Sequence, residues 1–259
     1  MTTTHPRIAP LNVQLIAKTH YTPPWLELAA LTPGMFKPSL DNALHTEGAG
    51  AYTYDGSALA EFAGRSCYES YDRPNARTAT NEGYLAHIME VGHYSVLEHP
   101  TVTFYITGIS RSLTHELVRH RHFSFSQLSQ RFVDSSRAKM VLPPAYEGDD
   151  VATQSAVERF VRSLEEYFYD VERMKESGKT RKQIRETARS GLPNETETKM
   201  VITGNYRAWI EFLIKRDSPA ADAEIARLAR TIGEQLAVEV PNVFGAKARE
   251  IWNPKENRS

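Results

Sequence analysis

The segment from Arg119 to Arg131 concentrates side chains that bind anions. It contains three arginines, three serines and two glutamines within thirteen residues. Arginine offers a planar fork that binds phosphate bidentately, while hydroxyl and backbone N–H groups donate to the remaining oxygens. The alternative is a solvated basic patch at a helix end, where arginine complements the helix dipole. On chemistry alone, the two interpretations are equally favoured.

A second candidate cation, Arg216, lies in an apolar setting. The stretch 205–216 has helical spacing, and the i, i+7 relation places Arg216 on the stripe of Trp209, flanked by Phe212. A guanidinium there needs an anionic partner or a route to solvent. The spacing therefore favours a functional role for Arg216.

Other basic residues have simpler interpretations. Arg207 and Glu211 are four residues apart on another helical face, which predicts a surface ion pair. Arg181, Arg185 and Arg189 also recur four apart, and acidic neighbours without an interleaved aromatic platform favour a solvated face.

Two glycine patterns partly resemble nucleotide-binding motifs, and neither fits. Gly48–Gly50 has no third glycine and no clear preceding strand, so the dinucleotide fingerprint is absent. Gly178–Thr180 resembles the end of a P-loop but follows a helix instead of opening one. A phosphate ligand must therefore be held by other means.

Metal and thiol chemistry have weak support. The histidines do not form a His-Glu-x-x-His pattern and no cysteine ligands lie near them, so we predict no metal site. The single cysteine, Cys67, has no catalytic signature around it, and we predict a buried thiol.

Composition bounds the class of protein. The 259 residues carry a formal net charge of −1, so no global positive field favours nucleic acid or an anionic membrane. One cysteine excludes an internal disulfide and fits a reducing compartment. The stretch Met1–Pro10 lacks the apolar core of a signal peptide, and no run approaches the ~20 apolar residues of a membrane span. We expect a soluble cytoplasmic protein with no nucleic-acid or membrane partner.

The chemistry-bearing residues must be positioned by a set of helices and strands. Periodicity predicts strands at Asn12–Lys18 and Thr101–Thr107 and helices at Ser57–Cys67 and Asn81–Val91. The stretch Ser110 to Arg121 is predicted to be helical at least at its start, so the Arg119–Arg131 segment begins where a helix ends.

Helices dominate the predicted C-terminal half. One follows a cap at Asp149 or Asp150 and stops at Gly178, and another follows Ser218-Pro219 and buries the face of Ile225, Leu228, Ile232 and Leu236. We predict one domain over 12–250, a flexible N-terminus over 1–11 and a C-terminal tail over 251–259.

The string Arg119-His120-Arg121-x-x-Ser124, continued by Gln127-Leu128-Ser129-Gln130-Arg131, resembles the signature of the flavin-dependent thymidylate synthases. The similarity continues in order through Gly92–His99, Ala188-Arg189, Asn205–Arg207 and Arg216. It spans roughly Asn12 to Val243, nearly the whole chain.

The resemblance implies a methyltransferase that makes dTMP from dUMP. Methylenetetrahydrofolate would supply the carbon, and FAD reduced by NADPH would supply the hydride. The family's fold is α/β, a central sheet flanked by helices, and its members are homotetramers whose active sites are shared between subunits. The family holds its flavin without a Rossmann fingerprint, in agreement with the failed glycine patterns.

Site residues follow from the resemblance by position. Arg216 matches the arginine that stabilises negative charge on the uracil ring and is the predicted catalytic residue. The predicted FAD contacts are Ser95, Arg119, His120, Arg121, Gln127, Asn205, Tyr206, Arg207 and Glu211. The predicted dUMP contacts are Glu116, Arg119, Gln127, Leu128, Ser129, Gln130, Arg131, Arg189 and Arg216.

Three positions depart from the family pattern. Gln127 stands where many members have glutamate, Phe132 where tyrosine is frequent, and Glu211 where asparagine or histidine is usual. A carboxylate at Glu211 could pair with Arg207 or raise its own pKa beside a flavin.

Two other functions stay open at the level of sequence. The chain could be a non-enzymatic nucleic-acid-binding module that uses the Arg119–Arg131 segment and the Arg181–Arg189 patch. It could also be a different nucleotide-dependent flavoprotein.

Overall fold

The structure, a computed structural model, describes residues 7–22, 56–70 and 75–254. The sequence pattern at Gly48–Gly50 lies outside these described residues.

Four strands form one antiparallel sheet with the order β1-β2-β4-β3. They are β1 (Asn12–Lys18), β2 (Thr101–Ser110), β3 (Ser124–Gln127) and β4 (Glu197–Asn205). The mixed α/β class is therefore confirmed.

The predicted strand at Thr101 is confirmed, and it runs three residues further, to Ser110. Its inward side chains alternate as the sequence indicates, with Val102, Phe104 and Ile106 buried. The extension passes through Gly108, whose φ of 70° and close approach to the Pro10 carbonyl leave no room for a Cβ.

Helices connect and cover the strands along the chain. They are α1 (Gly56–Tyr68), α2 (Asn81–Glu90), α3 (Arg111–Leu117), α4 (Asp150–Met174), α5 (Arg181–Ala188), α6 (Tyr206–Arg216), α7 (Ala223–Glu239), α8 (Pro241–Phe244) and α9 (Ala246–Trp252). Short 3₁₀ turns occupy Tyr94–Glu98, Pro144–Tyr146 and Arg189–Gly191. Among the described helices, none is both long and apolar enough to cross a bilayer.

The long helix α4 confirms the predicted N-terminal cap. The Asp149 side chain accepts a hydrogen bond from the Ala152 N–H at 2.9 Å, which satisfies one of the free donors of the first turn. The helix ends at Met174, before Gly178, whose φ is 69°. The helix therefore ends four residues before Gly178, the residue at which it was predicted to stop.

The predicted start of α7 was wrong, although its buried face is confirmed. Ser218 and Pro219 lie outside the helix, and the Asp222 carbonyl accepts the bond from the Ala226 N–H at 2.9 Å. The helix begins at Ala223, and Asp222 is the residue immediately before it. Ile225, Leu228, Ile232 and Leu236 are fully buried.

The chain divides into two compact units, and the predicted single domain over 12–250 stays a prediction. In its described part, unit 1 comprises residues 7–14, Phe104–Ile202 and Pro219–Leu228. In its core, one side of α4 packs against α5 and against Met140, which forms isolated β-bridges with Ile8 and Thr196. The core residues are Met140, Ala156, Val157, Phe160, Leu164, Tyr167, Met174, Ile184 and Ala188.

The N-terminal end of the described chain belongs to this unit. The Ala9 N–H donates to the Met140 carbonyl at 2.8 Å, and Ala9 is buried. Residues 7–11 therefore include a stretch that is hydrogen-bonded to the core of unit 1.

Unit 2 comprises, in its described part, residues 15–22, 56–70, 75–103, Thr203–Ser218 and 229–254. Its largest fully buried side chain is Trp209 of α6, whose indole N–H is shared by the Val102 and Gly204 carbonyls at 3.3 and 3.1 Å. Burying such a ring contributes roughly 1.5–3 kcal/mol, and its N–H is satisfied there.

Cys67 was predicted to be buried, and this prediction was wrong, because the thiol is exposed. The buried face of α1 ends at Arg65, so the last turn of the helix, which carries Cys67, faces solvent.

A buried ion pair fixes α1 within unit 2. The Arg65 Nε donates to Glu61 Oε1 at 2.7 Å, and its Nη2 donates to the Thr78 carbonyl at 2.7 Å. Asn81 donates to the second Glu61 oxygen at 2.8 Å, and Arg65 stacks over the Tyr84 ring at 4.4 Å. Burial raises the pKa of Tyr84 to about 12, against the opposing effect of the Arg65 cation.

Removing this arginine is expected to destabilise the protein. Arg65→Met leaves the Glu61 carboxylate buried without its cation, and the free energy of unfolding should fall by about 3–5 kcal/mol in urea denaturation. The control is Arg173→Met, whose side chain is 64% exposed and 3.7 Å from Asp170, and which should cost under about 1 kcal/mol. Equal, small losses for both variants would contradict the buried-pair interpretation.

Candidate functional site

The segment Arg119–Arg131 lies in unit 1, directly after α3, as the sequence predicts. The helix ends at Leu117, and the Arg119 N–H donates to the Glu116 carbonyl at 3.2 Å. Arg119 and Arg121 are exposed, and His120 is partly buried. The guanidinium groups of Arg119 and Arg121 therefore lie just beyond the end of α3, where a ligand can reach them.

The middle of this segment is the edge strand β3, which sequence patterns did not identify. Its residues, Ser-Phe-Ser-Gln, are mostly polar and give a weak apolar alternation. Pairing with β4 orders them, and the ladder continues as the Leu128 N–H donates to the Lys199 carbonyl at 2.9 Å. The polar side chains are therefore positioned by a long-range strand partner.

Gln127 is held by side chains from two neighbouring elements. Its Nε2 donates to Thr114 Oγ1 of α3 at 3.4 Å and to Thr198 Oγ1 of β4 at 3.3 Å. Both bonds use the amide nitrogen, so the amide oxygen stays available as an acceptor for a ligand.

The end of the segment turns back on itself. The Arg131 N–H donates to Ser129 Oγ at 3.4 Å, and the Arg131 guanidinium lies 5.7 Å from the Phe132 ring centre. Leu128 and Gln130 are partly buried, whereas Phe132 is 61% exposed. The C-terminal end of the segment therefore presents both a cation and an aromatic ring.

Several predicted site arginines of unit 1 have no protein anion. Within residues 7–22, 56–70 and 75–254, the guanidinium groups of Arg119, Arg121, Arg131 and Arg189 make no ion pair and no hydrogen bond. Arg227 in the same unit instead donates twice to Glu147, at 2.6 and 2.7 Å.

Arg185 was predicted to lie on a solvated face of α5, and this prediction was wrong for this residue. It donates to the Phe132 carbonyl at 2.6 Å and lies 3.7 Å from an Asp134 oxygen, with a side chain only 18% exposed. The Asp134 carboxylate accepts from the Ser136 N–H, which is the main cause of its lowered pKa, and Arg185 adds to the effect. Arg185 thus serves the fold, while Arg189 remains unpaired among the described residues.

Arg111 is a cation of unit 1 that sequence patterns missed. It is partly buried and lies at the first position of α3. Burial, reinforced by the Arg189 cation, lowers the pKa of Arg111. In the sequence, the only indication that Arg111 is partly buried is its place directly after a half-buried strand. Nothing in the sequence indicates that Arg189 is its neighbour.

The site residues of unit 2 cluster around the start of α6. Asn205 caps the helix, and its Oδ1 accepts from the Ala208 N–H at 2.8 Å. Arg207 donates to Glu98 at 2.6 Å, which ties α6 to the 3₁₀ turn that carries the exposed Ser95. Ser95, Asn205 and Arg207 therefore belong to one part of unit 2.

The predicted surface pair between Arg207 and Glu211 is confirmed at 3.6 Å. Glu211 also lies 3.8 Å from Lys215. The carboxylate that departs from the family pattern is thus compensated by two cations, and of the two possibilities raised for it, pairing with Arg207 is the one observed.

Tyr206 and Arg216 occupy opposite ends of α6. The Tyr206 ring is buried and meets the Phe244 ring edge-on at 5.5 Å, and its N–H donates to the Pro100 carbonyl at 3.1 Å. Arg216 is the last residue of α6 and is partly buried, next in the helical stripe to the buried Trp209.

The predicted site residues thus divide between the two units. Unit 1 holds Glu116, Arg119, His120, Arg121, Gln127, Leu128, Ser129, Gln130, Arg131 and Arg189, and unit 2 holds Ser95, Asn205, Tyr206, Arg207, Glu211 and Arg216. In the part of the chain that the structure describes, no three His, Cys, Asp or Glu side chains come close enough to hold a metal ion.

Comparisons with known proteins agree on one family. The family model described as "Thymidylate synthase complementing protein" matches residues 50–242. A flavin-dependent thymidylate synthase of Mycobacteroides abscessus is 50% identical over 245 residues, covering 92% of this chain and 90% of the relative. Those of Mycolicibacterium vanbaalenii and Mycobacterium tuberculosis are 47% and 48% identical, covering 92% and 91% of this chain and 90% and 89% of their own lengths.

Asn205 has a structural role that can be separated from ligand binding. Asn205→Ala removes the cap of α6 and should lower the free energy of unfolding by about 1 kcal/mol, measured by urea denaturation. Asn205→Asp keeps the capping oxygen but loses the Nδ2 donor, so its stability should stay near that of the original chain. A loss in Asn205→Asp as large as that in Asn205→Ala would contradict the capping role.

Proposed function

This chain belongs to the family of flavin-dependent thymidylate synthases, and we propose that it converts dUMP to dTMP. Methylenetetrahydrofolate serves as the carbon donor, and FAD reduced by NADPH serves as the hydride source. The observation that carries this proposal is the group of site arginines in unit 1 that have no anionic partner among the described residues, because such cations are suited to phosphate-bearing ligands.

The residues of the chain fit FAD as well as dUMP. Arg119 and Arg121 are exposed and have no partner in the described part of the chain, so they can bind a pyrophosphate, and the exposed Ser95 adds a hydroxyl donor. Asn205 retains both Nδ2 hydrogens beyond its capping bond, so it can donate to a flavin carbonyl. When bound, FAD supplies the hydride that completes the methyl group.

We assign FAD binding to residues of both units. These are Ser95, Arg119, His120, Arg121, Gln127, Asn205, Arg207, the backbone of Tyr206, and Glu211. Glu211 acts mainly by holding Arg207, since a carboxylate contributes no donor to the acceptor-rich edge of a flavin.

For dUMP, the segment after α3 provides the donors. Arg119, Arg131 and Arg189 offer forks to the phosphate, and Ser129 offers a hydroxyl. The free oxygen of Gln127 accepts from an N–H, which matches the imide of uracil. We place Glu116, Leu128 and Gln130 beside them as residues that shape the site.

Arg216 performs the electrostatic step. Negative charge develops on the uracil ring as C5 becomes a carbon nucleophile, and a preplaced cation stabilises that charge without reorganising. Its partial burial at the end of α6 lowers the local dielectric and strengthens the interaction. No cysteine nucleophile is needed, which agrees with the placement of the exposed Cys67 outside the site residues.

We further propose a cytoplasmic homotetramer whose active sites are shared between subunits. The support is the family membership. Sedimentation equilibrium of the purified protein measures the assembly, and a monomer at micromolar concentration would contradict this arrangement.

The function as a whole is tested with the purified protein. We expect flavin absorbance in the visible spectrum, and dTMP formation that requires dUMP, methylenetetrahydrofolate and NADPH together. The competing nucleic-acid-binding function has no support from the comparisons. It requires an affinity for nucleic acid that falls steeply with salt, in a protein that takes up no FAD.

Replacing Arg216 separates chemistry from cofactor binding. Arg216→Ala should lower the kcat of dTMP formation by about 10²–10³-fold, because one preplaced charge donor is lost. FAD content, read from the visible spectrum, should stay near that of the original chain. Arg230→Ala, at a side chain 64% exposed, serves as the control and should keep full activity. Full tritium release from labelled dUMP by Arg216→Ala would refute the assigned role.

A further inference from the structure

A carboxylate directly follows the proposed catalytic cation. Asp217 is the residue after Arg216, which ends α6, and the Asp217 N–H donates to the Leu213 carbonyl at 2.9 Å. The Asp217 side chain is only 11% exposed. The helix dipole disfavours a carboxylate at this end of a helix, and such a group attracts any guanidinium within reach. A bare carboxylate here would therefore compete with the substrate for the positive charge of Arg216.

Arg249 of α9 compensates the charge of Asp217. Its Nη2 donates to Asp217 Oδ2 at 2.6 Å, and the Arg249 side chain is 25% exposed. Arg230 lies 3.8 Å from the other oxygen of Asp217 but is 64% exposed, so its contribution is small. Among the described residues, Asp217 makes no ion pair with Arg216. The carboxylate is therefore bound mainly by Arg249.

The guanidinium of Arg249 is held by its surroundings. It lies 5.8 Å from the ring centre of Trp252, the last residue of α9. This ring is buried, and its Nε1 donates to the Val243 carbonyl at 2.8 Å. Gly233 of α7 approaches as well, because a Cβ at this position would lie 3.8 Å from Arg249 Nη1 and 3.2 Å from the Leu213 side chain. Three helices of unit 2 thus meet where Arg249 binds the end of α6.

A paired carboxylate affects Arg216 less than a bare one. Because the charges of Asp217 and Arg249 are opposite and their contact is 2.6 Å, their electrostatic effects largely cancel at a distance. The positive charge of Arg216 then acts on the negative charge that develops on the uracil ring. Without Arg249, the partly buried Asp217 carboxylate becomes available to bind Arg216 or to oppose its electrostatic effect.

We propose that Arg249 positions the catalytic cation indirectly, by holding the Asp217 carboxylate away from Arg216. The inference rests on the proposed function, in which Arg216 stabilises negative charge on the substrate. Arg249 is not among the predicted contacts of FAD or dUMP, and it acts on the reaction only through Asp217 and Arg216. It is therefore a positioning residue.

The test removes the cation first and the carboxylate second. Arg249→Met should lower the kcat of dTMP formation by roughly 10-fold, less than the loss in Arg216→Ala, because the catalytic cation is present but partly neutralised. Adding Asp217→Asn to Arg249→Met should restore most of the lost kcat, since no carboxylate remains to bind Arg216. Asp217→Asn alone should keep a kcat near that of the original chain.

A second comparison separates an effect on Arg216 from a general loss of structure. In the Arg216→Ala background, tritium release from labelled dUMP should be the same with and without Arg249→Met, because the group that Arg249 protects is absent. A general loss of structure would lower activity further in both backgrounds. All rates are expressed per FAD-loaded protein, and urea denaturation measures stability separately.

Lys247→Met is the matched control. Lys247 lies two residues before Arg249 in α9, is 88% exposed and contacts Glu82 at 3.1 Å. Its loss removes a cation from the same helix and should leave kcat unchanged. If Arg249→Met fails to fold, as judged by its melting temperature and FAD content, Arg249→Gln takes its place in both comparisons, because glutamine is neutral and retains a donor.

Each outcome decides the inference. An unchanged kcat in the neutral Arg249 variants overturns it. A loss that Asp217→Asn does not restore, or that recurs in the Arg216→Ala background, indicates a purely structural role for Arg249 and also overturns it. These results leave the proposed function standing. If the original chain binds FAD and dUMP but makes no dTMP, the proposed function itself fails, and the role of Arg249 fails with it.

Discussion

The central constraint in unit 1 is that the partly buried guanidinium groups of Arg111 and Arg189 influence each other without a carboxylate partner among the described residues. Arg111 and Arg189 are both positively charged and repel each other, so their own interaction does not hold them in place. Backbone hydrogen bonds from the start of α3 to Asn194 and Thr196 do so instead. Cations held by the backbone in this way are suited to an anionic ligand, because they lose little freedom on binding.

Arginines that serve the fold are distinguishable from those that serve ligands. Arg65 is 2% exposed, and Glu61 and a backbone carbonyl satisfy its guanidinium. Arg227 donates two hydrogen bonds to Glu147, which neutralises its charge, so it needs no anion from outside the protein. The site arginines of unit 1 differ in one respect, the lack of any described acceptor. The distinction rests on partners, since composition and burial alone do not separate these groups.

The amide side chains of the site use one polar atom, nitrogen or oxygen, to bond within the protein. The other polar atom can bind a ligand. Gln127 uses its amide nitrogen on two threonines and keeps its oxygen. Asn205 uses its oxygen to cap α6 and keeps its nitrogen. Arg207 is fixed by Glu98 and Glu211, at the expense of part of its donor capacity. Fixing a side chain in this way removes rotamer freedom that binding would otherwise have to restrict.

The sequence by itself determined the features that depend on neighbouring residues. Helical periodicity located α4 and α6, the cap at Asp149, the stripe leading to Arg216 and the local Arg207–Glu211 pair, and the string from Arg119 to Arg131 indicated the family. Only the tertiary structure decided the strand partner of β3, the exposure of Cys67 and the neighbour of Arg111. These depend on backbone bonds and packing between residues far apart in the chain, and the 3.6-residue and two-residue periods of a sequence contain no information about such distant partners.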